Sequence, residues 1–171
     1  NGLRVIVAKS TDLPLVTVQL TVRAGGAVDP ADKAGLADIT ANMLTKGAGS
    51  RSAAGVASAI EGLGGKLEAE AGWDGSFVAL TITADKTAPA LQIMGDVVRN
   101  PTLGADELDK LRAQSLDDLQ VELQEPGAIA GFATARAVFG TSPYGHALGG
   151  TPGSRKRISR ADVVALDRPW Y

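Results

Sequence analysis

Residues 66–83, KLEAEAGWDGSFVALTIT, decide the fold. Leu67 and Ala69 alternate with the charges of Lys66, Glu68 and Glu70. Val78, Leu80 and Ile82 then alternate with Phe77, Ala79 and Thr81. Period two in both runs marks strands with one buried face, and Trp73-Asp74-Gly75 between them reads as a hairpin turn. Strands joined this tightly pair antiparallel. Helices elsewhere in the chain must therefore layer on the sheet, because no parallel crossover is needed.

Upstream, Pro14–Val22 shows the same alternation, with Val16, Val18, Leu20 and Val22 on one face and Thr17, Gln19 and Thr21 on the other. Leu3-Arg4-Val5-Ile6-Val7-Ala8 is a shorter β-rich run, closed by the polar turn Ser10-Thr11-Asp12. Gly25-Gly26 and Asp29-Pro30 break the pattern. Leu36, Ile39, Thr40, Met43 and Leu44 then recur at helical spacing, with Gly47 suited to the stop. A second helix is predicted over Ala53–Leu63, with Val56, Ile60 and Leu63 inward. Downstream, Ala90, Leu91, Met94, Val97 and Val98 form one helical face, halted at Asn100-Pro101. A long helix follows from Asp106 to Gln124 and another from Ala128 to Phe139. After the loop Gly140–Arg157, the capping box Ser159-Arg160-Ala161-Asp162 opens a last short helix. The order β-β-α-α-β-β-α-α-α-loop-α predicts an α+β fold with paired helices on one face of an antiparallel sheet.

Composition narrows the chemistry. The chain has 171 residues, enough for one domain with its own core. It carries 17 Lys+Arg against 19 Asp+Glu, a net charge of −2, so no strong field draws in nucleic acid or an anionic membrane. No run of about 18 apolar residues spans a membrane. The absence of cysteine excludes disulfides, thiolate metal sites and cysteine nucleophiles. With His146 as the one histidine, neither HExxH nor HxxEH exists in this chain. The start at Asn1-Gly2-Leu3 reads as an excised domain or a processed product. Localisation stays open between bacterial cytoplasm and periplasm.

Within GLADITANMLTKGA (35–48), Asp38 and Asn42 stand at i and i+4 on one helix face, where two oxygen ligands suit a cation. Opposite the apolar stripe, they are expected to be a solvated polar pair. His146, in the turn-rich Ser142-Pro143-Tyr144-Gly145-His146, has Ser142 or Ser154 as conceivable nucleophile partners. No GxSxG elbow supports either, and the expected place for His146 is the surface. Arg155-Lys156-Arg157, with Arg160 near, is the one basic cluster and is expected to be solvated. The segment 149–154, GGTPGS, is Gly-rich like a phosphate loop but lacks GxxxxGK[ST]. Asp117, Asp118, Glu122 and Glu125 on the long helix read as a charged solvent face. Residue chemistry alone thus gives an α+β domain without a self-sufficient catalytic constellation.

Three longer stretches carry a resemblance: NGLRVIVAKSTDLPLVTVQLTVRAGGAVDPADKAGLA (1–37), NMLTKGAGSRSAAGVASAIEGLGGKLEAEAGWDGSFVALTI (42–82) and SPYGHALGGTPGSRKRISRADVVALDRPWY (142–171). In this order they resemble the insulinase, pitrilysin and mitochondrial processing peptidase family of zinc metallopeptidases, nearly end to end. In active members a helix carries His-x-x-Glu-His, two histidines binding zinc and the glutamate deprotonating water, and a downstream helix gives a third, glutamate ligand. Laid on this chain, the resemblance puts Asp38 and Asn42 at the histidine positions, Ala41 at the base, and the third ligand near Asp118. Alanine removes no proton.

The resemblance therefore implies a degenerate domain with no catalytic residue, metal or cofactor of its own. It would line the substrate chamber of an oligomeric assembly and grip extended peptide, with zinc in a His-x-x-Glu-His partner domain or subunit. It also implies that residues 1–171 are one domain of a longer multi-domain chain, lacking its last strand. The alternative is a structural scaffold of the same fold, like the core proteins of the respiratory cytochrome bc complex. A third reading makes Asp38, Asn42 and Asp118 an oxygen-rich metal site, which would favour Mg or Ca and leave no base.

Overall fold

The computed structural model describes residues 3–9 and 12–171. In chain order the regular elements are β1 (Leu15–Val22), α1 (Leu36–Leu44), β2 (Gly47–Ala48), β3 (Arg51–Ser52), α2 (Ala53–Glu61), β4 (Lys66–Ala71), β5 (Ser76–Thr83), α3 (Thr87–Arg99), α4 (Ala105–Glu122), α5 (Pro126–Phe139), α6 (Pro152–Arg157) and α7 (Arg160–Trp170). β1, β5 and β4 form an antiparallel sheet in that order, with Val18 opposite Leu80 and Ala69 opposite Val78. The register puts the apolar member of each alternating pair on one face. Val78, Leu80 and Ile82 are buried there, packed with Val16, Val18 and Leu20. β2 and β3 make a two-residue ribbon of their own.

Helices cover this face in two depths. Val56 and Ile60 of α2 and Ala90, Ile93, Met94 and Val97 of α3 join the sheet residues in one apolar cluster. α1 contributes Leu44 to that cluster. Its Leu36, Ile39 and Met43 point the other way, into a second cluster with Leu108 of α4 and Val163 of α7. α1 is thus sandwiched between the sheet and an outer helical layer, which is why seven of its nine residues are buried. The α+β architecture with helices on one face of an antiparallel sheet is that of the sequence reading.

Two local expectations are corrected. Leu3–Ala8 takes no place in either sheet. Val5, Ile6 and Val7 are 73%, 78% and 85% exposed, because β-propensity makes a strand only where a neighbouring edge pairs with it. Ser10 and Thr11 of the proposed turn lie outside the described residues. The loop 140–157 holds the unforeseen helix α6, whose N-terminus is a capping box between Thr151 and Ser154 with Pro152 in its first turn. The predicted box at Ser159 and Asp162 is present and opens α7. Among the described residues, no helix is long and apolar enough to cross a membrane.

Candidate functional site

Burial on both sides of α1 leaves Asp38 and Asn42 as its half-buried polar residues. They are not the solvated pair expected from the stripe pattern, because Arg155 from α6 stands against Asp38. Asn42 Nδ2 donates to the Asp38 backbone oxygen at 2.9 Å and to Asp38 Oδ1 at 3.1 Å. Both partners are acceptors, so the amide nitrogen is turned toward Asp38. One residue before it, Ala41 is 0% exposed.

Arg155 reaches the same place from α6. It is 7% exposed, where the basic run was expected to be solvated; Lys156, Arg157 and Arg160 are exposed. Its Nε donates to the Gly149 carbonyl and its Nη1 to the Ser115 carbonyl of α4. Nη2 stands 3.7 Å from Asp38 Oδ2, an ion pair rather than a hydrogen bond. Burial lifts the Asp38 carboxyl above the ordinary carboxylate range, against the opposing pull of Arg155 and the Asn42 amide.

The Gly-rich segment 149–154 is the packing surface that makes this possible. Gly150 has φ +81°, and a Cβ on it would lie 2.1 Å from the Ala34 carbonyl oxygen. Ser154 Oγ donates to that same oxygen at 2.7 Å. The loop is thereby held against the N-terminal end of α1. Asp29 completes that end by accepting from the Gly35 and Ala37 amides at 2.7 and 2.9 Å.

The other candidates do not converge on α1. Asp117, Asp118, Glu122 and Glu125 are exposed, as expected of a charged face. Among the described residues, no hydrogen bond or ion pair joins Asp118 to Asp38 or Asn42; the α4 group that reaches the site is the Ser115 carbonyl. His146 is half-buried rather than fully exposed. Its ring packs on Trp73 at 5.1 Å and its Nδ1 meets the Ala147 carbonyl oxygen at 2.9 Å, while Nε2 is buried. Tyr144 closes the same cluster by donating to Asp74 at 2.6 Å. Ser142 is exposed and Ser154 is spent in its cap, so neither is a nucleophile served by His146.

Zinc needs three or four nitrogen, sulfur or carboxylate donors. At Asp38 one carboxylate oxygen takes the Asn42 amide, the other faces a guanidinium, and the remaining donor is a neutral amide oxygen. Among the described residues, no group of three His, Cys, Asp or Glu side chains stands together. The residues on α1 therefore do not fit a zinc ion. Beside them lies an open groove of about 600 Å³, lined by Asn42 of α1, Thr45 just past its end, Gln19, Glu68, Glu70 and Phe77. It runs along β4, whose outer edge pairs with no strand among the described residues.

Residues 4–151 match the family model described as insulinase (peptidase family M16). The chain is 28% identical over 165 residues to the beta subunit of the mitochondrial-processing peptidase of Rattus norvegicus, covering 96% of this chain and 33% of that protein. It is 25% identical over 171 residues to an uncharacterized zinc protease of Mycobacterium tuberculosis, covering all of this chain and 39% of the relative. The crystal structure of an inactive domain of peptidase M16 from Pseudomonas fluorescens superposes with a TM-score of 0.85 at 31% identity, covering 91% of this chain and 38% of that one. Pitrilysin shares the fold, with a TM-score of 0.80 at 17% identity over 94% of this chain and 18% of its own. The chain thus spans between about a third and two fifths of the curated relatives it matches.

Proposed function

The chain belongs to the insulinase family, peptidase family M16, and from that membership we propose that it is a non-catalytic domain of a zinc peptidase assembly, holding extended peptide for a partner that carries the zinc. One observation carries the reading. Where the family's two histidines and glutamate are expected, α1 presents Asp38, Asn42 and a fully buried Ala41, with Asp38 already paired to Arg155. A water-activating base has no side chain there. The likeness to an inactive M16 domain supports the same view. Residues 1–171 are then one domain of a longer assembly, and its zinc belongs to a His-x-x-Glu-His domain or subunit.

The groove supplies what such a domain does. An extended peptide laid along the outer edge of β4 continues the sheet through its own backbone, the mode of strand addition. Asn42 lines the groove, and its side-chain oxygen is the acceptor it has left for a peptide N–H there. Glu68 and Glu70 line the same wall.

Fluorescence anisotropy with a labelled extended peptide tests the reading, together with turnover of that peptide. The chain alone is expected to bind without cleaving, and cleavage to appear when the zinc-bearing partner is added. N-methylation at alternate peptide residues removes the backbone donors and is expected to abolish binding. Asn42→Ala is expected to weaken it by roughly fivefold, the worth of one hydrogen bond. Cleavage by the chain alone, or binding indifferent to N-methylation, would sink the proposal.

A further inference from the structure

We infer that the guanidinium of Arg155 is the resident cation of this site, set against Asp38 where the family's motif would bring a metal, so that the domain keeps the site's shape with none bound. Arg155 is almost wholly buried, and each of its three nitrogens faces an acceptor on a different part of the chain. Nε takes Gly149, Nη1 takes Ser115 on α4, and Nη2 takes Asp38 on α1. One side chain thus ties α6, the glycine loop, α4 and α1 together. Linking a helix to its neighbour through charge is the structural part of what a metal ion does.

The seat is shaped for this group. A Cβ on Gly149 would lie 2.6 Å from Arg155 Nη2, so a side chain at 149 would press on the guanidinium. A buried guanidinium is costly without a counter-charge, and among the described residues Asp38 is the one acid within ion-pair distance of it. The dependence is mutual. A divalent ion drawn to Asp38 would sit beside a fixed positive charge with little water to screen it. The carboxylate is committed to the guanidinium and is closed to zinc.

The inference is separate from peptide holding, since neither metal content nor stability depends on a peptide being bound. It is tested by dialysing the purified protein against zinc chloride, measuring retained zinc by elemental analysis, and scanning Tm with zinc or with a chelator. The wild-type protein is expected to retain no stoichiometric zinc and to keep one Tm in both conditions. Arg155→Met, which keeps the apolar stem and strands Asp38, is expected to lower Tm by roughly 6 °C or more. Asp38→Asn, which strands Arg155, is expected to do the same, so the test does not hang on one variant folding. The double variant is expected to recover at least half of either loss, because no buried charge is left alone. One zinc per wild-type chain, lost in Asp38→Asn, would overturn the inference. So would either single variant melting at the wild-type temperature.

Discussion

Asp29 shows how one carboxyl can set the pH response of the α1 end of the molecule. Burial pushes it up to about 6 from an ordinary 3.8, against the opposing pull of the Ala37 and Gly35 amides and of His146. The folded state therefore binds a proton that the unfolded chain has released between those two values. The stability this confers is complete below pH 3.8 and is lost as pH rises through 6. Relative to Asp29→Asn, the wild-type protein is expected to lose up to about 3 kcal/mol between pH 4 and pH 7. Urea unfolding of both proteins at unit pH steps measures this. A difference that is flat, or that grows with pH, would show the ionised carboxylate to be the better cap. Arg155 is the other residue whose surroundings decide its role. Its sequence neighbours Lys156 and Arg157 are solvated, so a run of three cations reads as surface. The cue to the exception lies in Gly149-Gly150, whose missing side chains open the seat, and composition does not reveal what a glycine lets through.

At the scale of elements, the meeting of the glycine loop with α1 is the contact on which the site depends. Gly150 combines a positive φ with a Cβ position overlapping the Ala34 carbonyl. Gly150→Ala is expected to cost roughly 2–4 kcal/mol from strain and forced displacement together, lowering Tm by about 5–10 °C at this chain length. Gly49→Ala is the control: its φ is +56° but nothing lies within 4 Å of its Cβ, so only the backbone term of about 1 kcal/mol remains. Equal losses in the two variants would mean that the loop does not press on α1. The regular elements around this contact were legible because their signals are local and repeated. Val16 to Val22 and Val78 to Ile82 alternate without a break, and Leu36, Ile39, Met43 and Leu44 keep helical spacing. α6 was not legible, since six residues that begin Pro-Gly and end Arg-Lys-Arg have no apolar period; Thr151 and Ser154, three apart around a proline, were its one available sign. The splitting of α1's apolar stripe, with Leu44 toward the sheet and Leu36, Ile39 and Met43 toward the outer helices, was hidden for a different reason. It depends on where α4 and α7 dock, and no periodicity within α1 records that.

The whole molecule leaves apolar surface that its own folding does not use. Val5, Ile6 and Val7 are exposed, and the β1 edge of the sheet pairs with no further strand among the described residues. α5 has no buried residue, and Ile129, Val138 and Phe139 stand open on it. Apolar strand-like segments and open edges are templates for pairing with another chain, which accords with the proposal that this domain works with a partner. Taken alone, the protein is therefore expected to self-associate, with a sedimentation coefficient that rises with concentration. Val5→Lys combined with Val7→Lys is expected to suppress that rise. The same pair of changes is expected to leave stability within about 0.5 kcal/mol of wild type, because these side chains bury almost nothing in the monomer. If the double variant instead unfolds at lower urea while sedimenting as before, the segment belongs to the domain's own core, and the open surface lies on α5.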